Sequence, residues 1–347
     1  MITDARALRP QFIPRDMVHR QGAIDQMVSI IDPLKWSVSS DNISIFGPSG
    51  SGKTTLAKYV LRKMERSHLD YRWGYVNCMS ESSKTGALHR VLRDCRLGQD
   101  IRRAGTPASE YFERIREFDG VLVFVVDEAD VLDEPELIAA LADMEGVCLI
   151  TICIDQDEFH ASLRDQERVR SRLRAAETIT LDKYSYSQLS DIIRYRVDHG
   201  LDAGRVDDEA VEYIADIAAG DARRGIAYLR RAARHVQDGS AETLTVDVVR
   251  DVADDAQANL RERRIRYLGT HKRALYDLVE AGGPDGVSAG ELHQEYQKSV
   301  QNPKVRRTVR RYLDSLERYE LIESYGSTSA TRYKTIGSKA AEAARQT

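Results

Sequence analysis

Eight residues, "GPSGSGKT" from Gly47 to Thr54, fit the spacing G-x-x-x-x-G-K-[ST] at every fixed position. The chemistry this spacing serves is phosphate binding. Gly47, Gly50 and Gly52 allow a tight backbone turn whose successive N–H groups face phosphate oxygens at a helix N-terminus. Lys53 is placed to reach the β- and γ-phosphates and Thr54 to ligand Mg²⁺, while Pro48, Ser49, Ser51 and Thr55 complete the cradle. ATP or ADP with Mg²⁺ is the implied ligand. A second stretch, "VLVFVVDEAD", carries Asp127 and Glu128 out of an apolar run over residues 121–126. There Asp127 suits the Mg²⁺ shell and Glu128 suits orienting or polarising an attacking water. Asp130 reads as a structural acid at the start of the next helix.

These groups need a particular scaffold. Over residues 43–180, short apolar runs alternate with helical patterns: "ISIFG", "YRWGYVNCM", "VLVFVVDEAD", "VCLITICID" and "ETITL". Near-continuous apolar strands between helices predict a parallel sheet buried on both faces, with ligands at the strands' C-terminal edge. The strand "ISIF" precedes the phosphate loop and "TLAKYVLRKM" follows it as a helix. Residues 181–259 read as helices only, broken at "DHGLDAGRVD", "AAGDA" and "QDGSAE". From about residue 265, "HKRALYDLVEAG", "SAGELHQEYQKSV" and "PKVRRTVRRYLDSLERYEL" give three more helices. A strand pair, "LIESY" and "TRYKTI" joined by "GSTSA", follows them. That order is a winged helix. The expected domains are therefore residues 1–180, 181–259 and 260–347.

Composition narrows the classes. A chain of 347 residues, 42% hydrophobic and 31% charged, is globular and long enough for two or three domains. No run approaches the ~18 apolar residues of a membrane span, and the N-terminal residues lack a signal-peptide pattern, so a cytoplasmic location is expected. Cys78, Cys95, Cys148 and Cys153 have no CxxC spacing, which argues against zinc and for reduced, buried thiols. The net charge of −4 hides an asymmetry: from Leu260 onward 17 Lys+Arg face 11 Asp+Glu, and the remainder carries 34 against 44. A basic module on an acidic body points to nucleic acid for the C-terminal part. Residues 127–130 spell DEAD, but an RNA helicase needs a second motor domain and a Ser-Ala-Thr motif, and here the next strand reads "ITICIDQD".

Beyond the two phosphate motifs, the element "GDARRGIAYLRRA", residues 220–232, is specific. With it the chain resembles the AAA+ ATPases, and more narrowly the archaeal origin-recognition and cell-division-control type replication initiators, along nearly all its length. "FIPRDMVHRQGAIDQM" resembles the family's N-terminal nucleotide-pocket segment, with Arg20 at its basic position. "GTPASEYFERI" resembles the segment before the Mg²⁺ strand, and "DEFHASLRDQERVRSRL" the stretch after sensor 1. The resemblance implies an AAA+ core, an all-α lid and a winged helix. It makes Arg223 the sensor 2 arginine, reaching the γ-phosphate from the lid. Arg168, Arg170 and Arg172 lie where a neighbouring subunit would receive an arginine finger, with no choice among them. Asp155 departs from the family, which usually has Asn there. An ionised carboxylate only accepts hydrogen bonds and repels a γ-phosphate, so slow hydrolysis is expected, a weak ATPase holding ATP as a switch.

The third C-terminal helical pattern places Val305, Val309, Tyr312, Leu313 and Leu316 on one apolar stripe, with Arg306, Arg307, Arg310 and Arg311 pointing away. Arg306/Arg310 and Arg307/Arg311 are like-charge i,i+4 pairs, each costing roughly 0.2–0.5 kcal/mol. Positive charge at a helix N-terminus also opposes the helix dipole. A helix tuned for solvated stability alone would interleave glutamates, so this one is read as a recognition helix for double-stranded DNA. Arg332 and Lys334, on the second strand of the wing, are expected at the adjacent backbone or minor groove. Arg261, Arg263, Arg264 and Arg266 read as a charged linker helix over phosphates.

By resemblance the chain would bind replication-origin DNA in the nucleoid and help load the replicative helicase, with homo-oligomers or a paralogue as possible partners and no membrane. The core would also touch DNA through a loop between residues 81 and 108. A transcription regulator of plasmid or viral type would use the same domains without helicase loading. A clamp-loader-like assembly ATPase would end in a helical collar instead of a winged helix.

Overall fold

All five apolar runs become parallel strands. The computed structural model of the chain describes residues 1–33, 41–65, 71–163, 166–326 and 331–336. Residues 327–330 of the expected "GSTSA" connection and residues 164–165 of the "DEFHASLRDQERVRSRL" stretch lie outside these. Strands β1 (Ile43–Phe46), β2 (Tyr71–Asn77), β3 (Val121–Asp127), β4 (Val147–Ile152) and β5 (Glu177–Thr180) form one sheet in the order β2-β3-β4-β1-β5. Every pairing in it is parallel. Every residue of β1, β3 and β4 is buried, as strands covered on both faces require. β5, at the edge, buries only Ile179.

Side chains alternate across a strand, and that parity decides what meets the site. Val121, Val123 and Val125 of β3 pack with Ile43 and Ile45 of β1 and with Ile150 and Ile152 of β4. Helices α1 (Gln21–Ile31) and α2 (Lys53–Glu65) cover this face through Ile24, Met27, Leu56, Val60 and Leu61. Asp127 is next in the same odd series, so its carboxylate emerges on the α2 side of the sheet. Helices α3 (Lys84–Asp94), α4 (Ala108–Arg116), α5 (Glu136–Ala142), α6 (Gln156–Ser162) and α7 (Glu167–Ala175) complete this part of the chain.

Helices α8 (Tyr186–Gly200), α9 (Asp208–Ile217), α10 (Ala222–Gln237) and α11 (Val246–Arg266) follow. They close on their own core, which includes Leu189, Ile193, Ile214, Tyr228, Leu229 and Val249. Ser185 and Gln188 form a reciprocal capping box that starts α8 at Tyr186. The N-terminal segment is pinned to this layer by the buried Arg196, which donates to the carbonyls of Ala7 (2.7 Å) and Phe12 (3.4 Å) and lies 4.7 Å from the Phe12 ring. Burial lowers the pKa of Arg196 to about 10. The chain divides into two compact units after Ala256, within α11, so sheet and helical layer share the first unit.

The second unit, from Gln257, has the order α12 (Thr270–Ala281), β6 (Val287–Ser288), α13 (Ala289–Ser299), α14 (Arg306–Arg318), β7 (Ile322–Tyr325) and β8 (Arg332–Thr335). Its antiparallel sheet runs β6-β8-β7, adding a short strand to the expected pair. Leu275, Leu292, Tyr296, Val309, Tyr312, Leu313 and Leu316 are buried in it. One expected stripe residue departs. Val305 is the N-cap of α14 with extended backbone (φ −65°, ψ 155°) and is 71% exposed. Only from Arg306 does helical geometry govern side-chain direction, so the stripe begins at Val309.

All four cysteines are buried thiols, and burial pushes that of Cys95 up to about 12. Among the described residues no helix is long and apolar enough to cross a membrane.

Gly74 shows how tightly α3 is laid on the sheet: a Cβ there would sit 2.2 Å from the Val91 carbonyl oxygen. Gly74→Ala is expected to destabilise the first unit by about 1–3 kcal/mol through overpacking. The check is the midpoint of urea unfolding by tryptophan fluorescence, since both tryptophans precede residue 257.

Candidate functional site

The phosphate loop leaves β1 and enters α2 through three glycines with positive φ: Gly47 at 147°, Gly50 at 75° and Gly52 at 95°. Each is also needed for space. An added Cβ would lie 2.2 Å from the Leu181 carbonyl oxygen at Gly47, 2.0 Å from Asp221 Oδ1 at Gly50, and 2.6 Å from the Tyr184 hydroxyl at Gly52. The loop is therefore seated on the segment leading into α8 and on the N-terminus of α10. Asp221 is the N-cap of α10 and accepts from Arg224 N (3.0 Å), while Ala222 N donates to the Gly50 carbonyl at 3.3 Å. Arg20 closes the other side: it donates to the carbonyls of Ser51 (2.9 Å) and Asp182 (2.6 Å) and lies 4.0 Å from the Tyr184 ring.

Lys53 donates to two carbonyls of its own loop, Gly47 at 2.5 Å and Pro48 at 2.9 Å. Burial lowers its pKa, the charge of Asp127 opposes this, and Arg223 lowers it further. Arg223, half-buried in the first turn of α10, thus sits within electrostatic reach of Lys53, as do Asp127 and Glu128. The Ser49 and Ser51 hydroxyls are buried without a hydrogen-bond partner among the described residues. Buried polar atoms without partners beside an ammonium and a glycine turn fit an anionic ligand with many acceptor oxygens. Thr55, in the first turn of α2, is half-buried.

Asp127 is only 4% exposed, and its Oδ2 accepts two hydroxyls, from Thr54 at 2.6 Å and from Tyr75 at 2.8 Å. A buried carboxylate beside a hydroxyl is an oxygen donor set that suits Mg²⁺, whose shell is usually completed by phosphate and water. Glu128 follows with left-handed backbone (φ 56°, ψ 44°), a conformation costing a non-glycine residue about 1–3 kcal/mol. The sharp exit from β3 that this makes leads into a 3₁₀ turn holding the buried Asp130.

Other candidates are placed differently. Asp155 is exposed and acts as the N-cap of α6, its Oδ1 accepting from Glu158 N at 2.7 Å. Arg168 pairs with Asp143 at 2.7 Å, Arg172 pairs with the same carboxylate, and Arg170 lies 3.3 Å from Glu167. Nothing in the residues alone pointed to Tyr75, because strand register is invisible there. β2 pairs with β3 so that Asn77 lies opposite Asp127, and Tyr75, two residues earlier, shares that face. Lys58, whose ammonium lies 3.2 Å from the centroid of the Tyr75 ring, was legible in principle, being one helical turn after Thr54.

In the second unit Arg306, Arg307 and Arg310 are exposed in the first turns of α14, which has no acidic residue in its first turn and no side-chain N-cap; Arg311 is half-buried. The residues expected on the wing are engaged internally. Arg332 donates to the carbonyls of Asp285 (2.9 Å) and Gly286 (2.7 Å), and Lys334 lies 3.1 Å from Glu323 across the strand pair. Arg264 is likewise committed, donating to the Tyr319 carbonyl at 2.6 Å at the end of α14.

Comparison with known proteins gives the lineage. Residues 39–155 fit the AAA domain family and residues 190–254 the Cdc6 AAA+ ATPase-type lid domain. The chain is similar to ORC1-type DNA replication protein 9 of Halobacterium salinarum, 35% identical over 98% of this chain and 95% of that one. It is also similar to ORC1-type DNA replication protein 1 of the same organism, 32% identical over 89% and 100%. In fold it resembles the Aeropyrum pernix ORC1 protein, solved in complex with DNA, at a TM-score of 0.73 and 21% identity over 99% of this chain and 96% of that one. The A. pernix ORC2 protein, in ADPNP and ADP complexes, gives 0.70 and 20% identity over the same shares. With family models matching an AAA domain and a lid, and relatives matched over nearly their whole length, the chain belongs to the ORC1-type DNA replication proteins, AAA+ ATPases with a Cdc6-type lid.

Proposed function

We propose that the protein is an ATP-switched replication initiator that binds origin DNA through a C-terminal winged helix and helps load the replicative helicase from the nucleoid. One observation carries this reading: a chain whose phosphate loop is seated directly on its lid helix also carries a separate unit with an exposed arginine helix. The unit's order, α12-β6-α13-α14-β7-β8, supports the winged-helix assignment, with α14 as recognition helix. Origin DNA is favoured over a protein partner because the first turns of α14 place Arg306, Arg307 and Arg310 together against the helix dipole.

In the nucleotide site, the loop from Gly47 to Thr55 holds the phosphates, and Lys53 leaves its two loop carbonyls to reach them. Arg20 fixes the loop's outer wall. Thr54 and Asp127 hold Mg²⁺, which when bound neutralises charge on the phosphates. Glu128 orients the attacking water. Arg223 reaches the phosphates from α10, and since Asp221 of the same turn packs on Gly50, phosphate state is felt at the N-terminus of the lid helix α10. Asp155 supplies a carboxylate where the family usually has an amide, and this supports slow hydrolysis and a long-lived ATP state. In DNA binding, Arg306, Arg307, Arg310 and Arg311 serve α14. Arg332 and Lys334 reach the duplex only by sharing or exchanging their internal partners.

Two measurements test the parts. Asn caps a helix as well as Asp does, so Asp155→Asn removes the charge while leaving the α6 cap intact. Its steady-state ATP turnover is expected to rise several-fold, and an unchanged rate would remove the basis for slow hydrolysis. For DNA, replacing Arg306 and Arg310 together by alanine is expected to flatten the salt dependence of binding by about two units of slope, at ~0.9 per lost phosphate contact. In cells, chromatin immunoprecipitation should show a few sharp peaks at replication start sites that this double variant loses. Peaks confined to promoters would replace the initiator by a regulator.

A further inference from the structure

Asp127 is held from two sides. Thr54 is the partner expected for a carboxylate beside a phosphate loop, but the second hydroxyl comes from outside both phosphate motifs. Tyr75 donates to Asp127 Oδ2 at 2.8 Å, on the same oxygen that takes Thr54 at 2.6 Å. Both hydroxyls thus converge on Oδ2, and together they fix the orientation of the carboxylate. Tyr75 is itself held in place. It lies in β2, whose register with β3 runs from Tyr71↔Val121 to Asn77↔Asp127, so its ring packs beside Val125 on the α2 face. Its backbone N–H donates to Asp94 Oδ2 at 3.2 Å. Over its ring, 3.2 Å from the centroid, sits the ammonium of Lys58, one turn after Thr54 on α2. A cation on the face of a phenol ring withdraws electron density and makes its O–H a stronger donor.

We propose that Tyr75, with Lys58 on its ring, is a positioning residue that fixes the Asp127 carboxylate for Mg²⁺. The inference rests on the reading of Asp127 as the Mg²⁺ carboxylate. It adds a third element to the site: besides the phosphate loop and its own strand, Asp127 is tied to the neighbouring strand β2. Partners of a metal-ligating carboxylate that orient it typically contribute 10–100-fold to metal affinity. Tyr75 touches neither the phosphates nor the attacking water in this reading, so its effect is read in the metal dependence.

The experiment titrates free Mg²⁺ against the full-length chain with a fluorescent N-methylanthraniloyl ATP, and reads the Mg²⁺ concentration at which nucleotide binding is half tightened. In Tyr75→Phe, which keeps the ring beneath Lys58 and removes only the hydroxyl, this midpoint is expected to rise roughly tenfold. A second variant, Tyr75→Met, removes the hydroxyl together with the ring beneath Lys58 while staying apolar, and is expected to shift it in the same direction. The thermal midpoint without Mg²⁺ reports whether each variant is folded. Asp127→Asn separates the two levels of the argument. If it raises the midpoint while both Tyr75 variants leave it unchanged, the positioning role of Tyr75 is overturned and the metal reading stands. If Asp127→Asn also leaves it unchanged, the metal reading falls and the proposal falls with it.

Discussion

A carboxylate buried at the end of a central strand is the constraint around which the first unit is arranged. Burying an ionised group is costly unless hydrogen bonds replace its water. Asp127, 4% exposed, obtains them from Thr54 on one element and Tyr75 on another. Meeting that demand requires α2 on one face of the sheet, β2 beside β3, and a register that sets Asn77 against Asp127. The same arrangement brings the phosphate loop, which must precede α2, to the edge where β3 ends. The site is thus a consequence of satisfying one buried acid.

The loop's second dependence is on the lid. Gly50 has positive φ and faces Asp221 so closely that no side chain fits between them. Asp221 meanwhile caps α10, the helix that carries Arg223. Backbone conformation, helix capping and the approach of an arginine to Lys53 are therefore joined over a few residues. This is a short mechanical path from phosphate to lid, and it consists of packed backbone, which deforms little, instead of long flexible side chains.

In the second unit, the basic residues act on the helix ends and turns in opposite ways. Arg332, Lys334 and Arg264 serve the fold: they bond carbonyls of a turn, a cross-strand glutamate and the C-terminal end of α14. An arginine at a helix C-terminus stabilises it by about 0.3–1 kcal/mol, and Arg264 acts there on α14. The arginines in the first turns of α14 oppose the dipole of their own helix. Positive charge there works against the stability of the helix, and this is the ground on which α14 is proposed as the DNA-facing helix.

Much of this was legible in the residues alone. Apolar runs located the five parallel strands, glycine spacing located the phosphate loop, and the 3.6-residue period located the arginine face of α14. These are local properties: a strand buried on both faces, a turn with positive φ and a helix stripe each write their requirement into adjacent residues. What only the tertiary structure decided was pairing across elements. Tyr75 meets Asp127 because of strand register, Asp221 meets Gly50 because a distant helix cap packs on the loop, and Arg332 is taken by a turn some 46 residues away in sequence. Val305 left its stripe because the chain becomes helical only one residue later. Sequence periodicity records which face of an element is apolar, whereas the partner of a polar group is set by packing that no single segment encodes.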